Sequence, residues 1–144
     1  FRFFTVYGPY GRPDMSLFQF TKSIFENKTI ELYNNGNHVR DFTYVSDVTK
    51  AITKLLNYNK SGFEVFNICG SNPKKLMYFL KIIENTIGKK SKIKKVKMQK
   101  GDVYKTHGDI KKLSKAVKFT PKVMIEDGIV KFIEWYKKYY KVNE

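Results

Sequence analysis

Hydrophobic and polar positions fall into short extended runs separated by longer stretches of helical period. Phe1 to Val6 is an aromatic and β-branched run that predicts a buried strand. Gly8-Pro9 ends it in a loop, and Asp14 suits the N-cap of a helix reaching about Glu26. In that helix Leu17, Phe20 and Ile24 recur at i, i+3 and i+7, and Phe18 and Phe25 lie seven apart. Thr29 to Tyr33 alternates and stops at Asn34-Asn35-Gly36, a strand and turn. Phe42 to Val45 predicts another strand. Ser46 is placed to cap a helix from Asp47 to about Asn57, with Val48, Ile52, Leu55 and Leu56 inward. Phe63 to Cys69 reads as a strand, and Ser71 and Pro73 read as the start of a helix. That helix carries Leu76, Leu80, Ile83 and Ile87 and stops at Gly88. Ile93, Val96 and Met98 mark an extended basic segment, and Asp109 suits the cap of a small helix from Ile110 to Val117. A last helix, about Val123 to Tyr140, aligns Ile125, Ile129, Phe132, Ile133 and Tyr136. Strands separated by helices, without an internal repeat, make the fold class α/β.

Composition narrows this picture. The chain has 144 residues, 42% hydrophobic and 16% aromatic, enough for one domain with a core. No apolar run approaches the roughly 20 residues of a membrane span, and no signal peptide opens the chain. The default expectation is therefore a cytoplasmic protein without membrane partners. Cys69 stands alone, and His38 and His107 lack ligand spacing, so neither a disulfide framework nor a metal site is expected. A net charge of +15 raises the question of nucleic acid. The charge comes from lysines, densest from Lys89 to Lys97, while arginine occurs only at Arg2, Arg12 and Arg40. Arginine is the side chain that reads bases and phosphates by bidentate contact. Its absence from the basic runs favours solvated lysines over a nucleic-acid face, and the charge still suits the steering of an anionic small molecule.

Two stretches invite chemistry. A strand, a Gly/Pro loop carrying Arg12 and a helix is how α/β proteins build a crevice at a strand's carboxyl end; Thr5 and Arg12 are then candidates, against a plain strand-end hydroxyl and surface cation. Arg40 lies between a turn and an aromatic strand, where burial is costly unless it meets an anion; the structural alternative is an ion pair with Asp41 or Asp47. Cys69 reads as a small buried residue with no base beside it.

Three motifs carry a family resemblance. Arg2-Phe3-Phe4-Thr5-Val6-Tyr7-Gly8-Pro9, continuing through Gly11-Arg12-Pro13-Asp14-Met15, is the first. Gly36 with Arg40-Asp41-Phe42-Thr43-Tyr44-Val45-Ser46-Asp47 is the second, and Met98-Gln99-Lys100-Gly101-Asp102-Val103 the third. Together, in this order, they resemble the C-terminal half of the extended short-chain dehydrogenase/reductases, most closely the UDP-glucuronate 4-epimerases found as capsular polysaccharide biosynthesis proteins. The resemblance covers nearly the whole chain. It implies the C-terminal, substrate-binding lobe of an extended Rossmann-type enzyme, with the last strands of its parallel sheet.

The resemblance also assigns roles. Thr5 and Arg12 would recognise the sugar carboxylate; neutral-sugar relatives carry Asn at the position of Thr5. Arg40 would meet the pyrophosphate of the UDP moiety. Leu32 and Tyr33 would contact the uracil by backbone and stacking, although ordinary strand packing explains them equally. Gln99 and Asp102 belong to a turn closing over the nucleotide, with Asp102 accepting from a ribose hydroxyl; Lys100 stands where the family usually has Pro, and Cys69 where it usually has Gly. Phe3 and Phe4 read as core residues, and the resemblance adds that one of them, Phe4 foremost, lines the nicotinamide pocket of NAD. The implied reaction interconverts UDP-glucuronate and UDP-galacturonate through a 4-keto sugar, with NAD recycled.

The glycine-rich dinucleotide turn and the Tyr-x-x-x-Lys acid/base pair do not occur in the 144 residues. Tyr7 and Tyr10 are followed four residues later by Gly11 and Asp14. No catalytic residue is therefore expected in this chain, and an N-terminal, NAD-binding half is expected to supply them; alone, the chain is expected to be inactive. The partners implied are a UDP-sugar, that half and, for the parent, a second copy in a homodimer. The rival expectations are a dehydratase, a decarboxylase or a UDP-glucose 4-epimerase on the same scaffold, or an inactive gene fragment or basic binding module.

Overall fold

The computed structural model describes residues 1–142. The opening apolar run forms two strands, β1 (Arg2–Phe3) and β2 (Thr5–Tyr7), because its two parts find different partners. Between them the Val6 amide donates to Phe4 O at 2.9 Å, which bends the chain. There follow α1 (Ser16–Phe25), β3 (Thr29–Leu32), a 3-10 turn at Tyr33–Gly36, β4 (Val39–Arg40), β5 (Phe42–Tyr44) and α2 (Val45–Leu56). The rest comprises β6 (Asn67–Ile68), β7 (Lys74–Lys75), α3 (Leu76–Ile87), β8 (Lys92–Lys95), α4 (Lys111–Val117) and α5 (Ile125–Tyr140).

Three strand pairs are parallel: β1 with β6, β2 with β5, and β3 with β8. The fourth, β4 with β7, is antiparallel. Parallel strands joined through helices confirm the α/β class. The larger core lies where α1, α3 and α5 pack on β2, β3 and β5, around Phe18, Phe20, Phe79, Ile83, Ile129 and Phe132. Phe79 is fully buried and stacks on Phe42 with ring centroids 4.2 Å apart. A second cluster joins α2, α4 and β6 through Val48, Ala51, Leu55, Phe66, Ile68 and Leu113. The five apolar residues assigned to the last helix's inner face are all buried, as their spacing requires.

Several boundaries differ from the sequence pattern. Asp14 does not cap α1, because its carboxylate is held by Arg12; the helix starts after Met15 without a side-chain cap. Ser46 lies inside the first turn of α2 and caps nothing. The buried face of that helix runs through Val48, Ala51 and Leu55, which turns Leu56 out to 79% exposure. The expected strand from Phe63 shrinks to Asn67–Ile68, which pairs with β1, and Phe63 is solvent-exposed. Ser71 and Pro73 do not open α3. Lys74–Lys75 pair with β4 instead, and the first amide of α3, Leu76 N, donates to His38 O at 2.8 Å. Asp109 does hold a first-turn amide of α4, accepting from Lys111 N at 2.7 Å. Gly88 closes α3 at φ 80°, the left-handed conformation glycine adopts at no steric cost.

The lysines of β8 all face solvent, and Lys94 pairs with Glu31 at 3.0 Å. No described helix is long and apolar enough to cross a membrane. No group of three or more His, Cys, Asp or Glu among the described residues could hold a metal ion.

Candidate nucleotide-sugar site

The first part of the site grows from the end of β2. Gly8 turns the chain at φ 138°, and a Cβ there would lie 2.6 Å from Val45 Cγ1, so only glycine lets the loop lie against the start of α2. The loop from Gly8 to Arg12 thereby encloses an open cavity of about 450 Å³ with Phe3, Phe4, Val6, Met15 and Val45. Its lining is apolar and aromatic with Arg12 as its one charged side chain, and its volume is that of a small-ligand site. Arg12 is exposed and pairs with Asp14 through Nη2 at 2.5 Å. Both partners are solvent-exposed, so the pair constrains Arg12 only weakly. Phe4 is half-buried, but Phe3 is 50% exposed, so in this chain Phe3 is not the core residue its sequence suggests. Thr5 sits beside this cavity in β2, donating its amide to Asp41 O at 3.1 Å, and does not line it.

The second part is a clasp between β4 and the loop at 99–106. Arg40 Nη2 meets Asp102 Oδ1 at 2.9 Å, and Nη1 donates to Tyr104 O and Val39 O, each at 3.1 Å. The Asp102 amide donates to Gln99 O at 3.3 Å, and Gly101 takes φ 82° to close the turn. Gln99 thus contributes its carbonyl, while its side chain is exposed. Backbone bonds fasten the loop further: Val39 N donates to Tyr104 O, and Thr106 N to Val39 O. The ion pair anticipated for Arg40 with Asp41 or Asp47 does not form. Asp41 Oδ2 instead accepts from Gly108 N at 2.8 Å, and Asp47 Oδ2 accepts from Lys122 N and Val123 N at 2.8 Å each. Both aspartates are buried and organise backbone, leaving Arg40 to Asp102.

The other candidates separate. Leu32 is 1% exposed, so its side chain belongs to the core, and its carbonyl already accepts from Val96 N at 3.0 Å. Tyr33 lines a shallow surface cleft with Gln19, Phe20, Glu26 and Glu31. Cys69 is fully buried, and burial, with Asp41 nearby, pushes its thiol up to about 12, which rules it out as a nucleophile at neutral pH.

His38 joins the clasp although metal-ligand spacing does not mark it out. Its position two residues before Arg40 in an extended segment is the signal, since it puts both side chains on one face. Its Nε2 lies 3.1 Å from Asp102 Oδ2. Burial and the Arg40 charge hold its pKa below the ordinary value, against the pull of Asp102, which favours the neutral ring.

Comparison with known proteins places these features. Residues 1–69 match the model of the NAD dependent epimerase/dehydratase family. Protein CapI of Staphylococcus aureus is 43% identical over 97% of this chain and 47% of its own length. A UDP-glucuronate 4-epimerase of Thermodesulfobacterium geofontis is 39% identical over 95% of the chain and 42% of that protein. The crystal structure of a Bacillus cereus UDP-glucuronic acid 4-epimerase with UDP-glucuronic acid and NAD superposes with a TM-score of 0.91 at 31% identity, over 96% of this chain and 45% of that one. The chain spans less than half the length of these relatives. In its first 69 residues the chain thus matches the NAD dependent epimerase/dehydratase family, and over nearly all of its length it is similar to part of known UDP-glucuronate 4-epimerases.

Proposed function

We propose that residues 1–144 form the substrate-recognising, C-terminal part of an NAD-dependent nucleotide-sugar 4-epimerase that interconverts UDP-glucuronate and UDP-galacturonate. The observation that carries this reading is a single arginine, Arg12, in a cavity whose lining is otherwise apolar and aromatic. Such a cavity accepts a sugar ring on its apolar surface and singles out an anionic substituent by a planar, charged fork. The Arg40–Asp102 clasp supplies the complementary pair for a nucleotide, a cation for phosphate oxygens and a carboxylate for ribose hydroxyls. Thr5, one residue beyond Phe4, would add a hydroxyl beside the sugar. Tyr33 offers a ring to the uracil, while Leu32, with its carbonyl taken by Val96 N, supports it from the core.

The same cavity fits one end of NAD. Phe3 and Phe4 present apolar surface suited to a flat ring, and the glycine at position 8 keeps the loop clear of it. When bound, NAD supplies the hydride acceptor and donor that a 4-epimerase requires. This chain's residues bind and orient the sugar against that end, while the cofactor turn and the proton-transfer pair belong to the other half of the enzyme. The exposed β1, with Phe1 and Phe3 open to solvent, is the surface on which that half would close.

Arg12 provides the test. In the full-length protein, Arg12→Ala should weaken UDP-glucuronate by roughly tenfold or more, the range of a charge-assisted hydrogen bond, and leave UDP-glucose nearly unchanged. Equal losses for the two sugars, measured by titration calorimetry, would remove the carboxylate assignment.

A further inference from the structure

His38 has no evident reason to be a histidine if its role is packing. It is 4% exposed, its carbonyl is spent on the first amide of α3, and its Nε2 is buried. A buried ring nitrogen is costly unless it meets a partner, and a leucine or methionine would fill the same space without that cost. Asp102 Oδ2 stands 3.1 Å from Nε2 but off the angle of an aligned hydrogen bond, and the neighbouring Arg40 charge can offer the ring no acceptor.

The carboxylate is divided. Asp102 Oδ1 takes Arg40 Nη2 at 2.9 Å and the Val103 amide at 2.7 Å, while Oδ2 faces only His38. Rotating the carboxylate would give up both bonds at Oδ1, so the open oxygen is the one beside the imidazole. Polar contacts in a ligand-binding site are often poorly aligned without ligand and tighten when it arrives.

We propose that His38 is a positioning residue of the nucleotide site: its Nε2–H holds Asp102, and through it the loop at 99–106, in the orientation that meets the ribose. This rests on the reading of Arg40 and Asp102 as nucleotide contacts. His38 acts through Asp102 and touches no reacting atom, so its effect belongs to binding and not to the chemical step.

The test uses the full-length protein and UDP as the probe, with His38→Leu and His38→Gln compared. Glutamine keeps a neutral N–H at a similar reach; leucine removes it. His38→Leu should weaken UDP by roughly three- to tenfold, the worth of one hydrogen bond, and raise KM for UDP-glucuronate with kcat unchanged. His38→Gln should restore UDP affinity to within about twofold of the wild type, well inside the range of a single hydrogen bond. Wild-type affinity in His38→Leu would overturn the proposal, as would a loss in His38→Gln equal to that in His38→Leu, since ring shape and not the donor would then matter. Failure of the folded wild-type protein to bind UDP would overturn the nucleotide reading itself, a result distinguishable from both.

Discussion

Arg40 is where one substitution separates phosphate recognition from sugar recognition. Its guanidinium makes three contacts at once, to Asp102 Oδ1 at 2.9 Å and to the carbonyls of Tyr104 and Val39 at 3.1 Å each. Its side chain is 18% exposed and that of Asp102 31%, so the pair is neither a surface pair nor fully buried. Breaking it should cost stability between the about 0.2–1 kcal/mol of exposed pairs and the about 3–5 kcal/mol of a buried pair broken on one side. For the ligand, losing charge-assisted contact to a phosphate costs about 1.5–3 kcal/mol. At 1.4 kcal/mol per factor of ten, Arg40→Ala should weaken binding by roughly 10- to 150-fold. Arg40→Lys should fall between, because an ammonium keeps the charge but cannot span Asp102, two carbonyls and a phosphate as the planar fork does. Titration calorimetry on the full-length protein with UDP, UDP-glucose and UDP-glucuronate should show the same loss for all three. Unchanged UDP affinity would make Arg40 purely a loop fastener, and a loss confined to one sugar would place it at the sugar and not the phosphates.

Other expectations concern the scaffold. Phe79→Ala should destabilise by about 3–5 kcal/mol, since a fully buried ring stacked on Phe42 leaves a cavity that its neighbours cannot close; a melting temperature unchanged in calorimetry would contradict the packing. Cys69 should resist alkylation at pH 8.5 in the native state and react on denaturation, because burial disfavours its thiolate. Its pKa rises from 9.0 to about 12 in the fold, so the thiol's contribution to stability is intact below pH 9 and is lost as pH climbs toward 12. Urea melts of the wild type and Cys69→Ala between pH 8 and pH 11 should therefore diverge only above pH 9, and parallel pH dependences would show that another group is responsible.

Long periodic segments were legible in the sequence and short extended ones were not. The apolar face of α5 and the stop at Gly88 follow from spacing and from glycine's conformational freedom, both local properties. The splitting of β1 from β2 depends on which distant strand each half meets, Asn67–Ile68 or Phe42–Tyr44, and no local pattern encodes that. Caps failed for a similar reason. Asp14 and Ser71 have the right chemistry, but Asp14 is captured by Arg12 and Ser71 donates to Gly108 O, competitors that only the tertiary structure supplies. At the site, the resemblance directed attention to Arg40 and Asp102 separately; their contact across 62 positions, and His38 beside them, required the fold. The placement of Leu32 in the core and Tyr33 in its own cleft was equally beyond reach, since strand packing and ligand contact leave the same sequence signature.

The most direct test of the central claim is to follow the full-length protein with UDP-glucuronate by proton NMR, reading the anomeric signals as the mixture evolves. The account expects UDP-galacturonate to appear and reach a steady ratio with UDP-glucuronate, the uronate carboxyl group retained. Turnover of UDP-glucose with UDP-glucuronate left untouched, or loss of the carboxyl group, would contradict it.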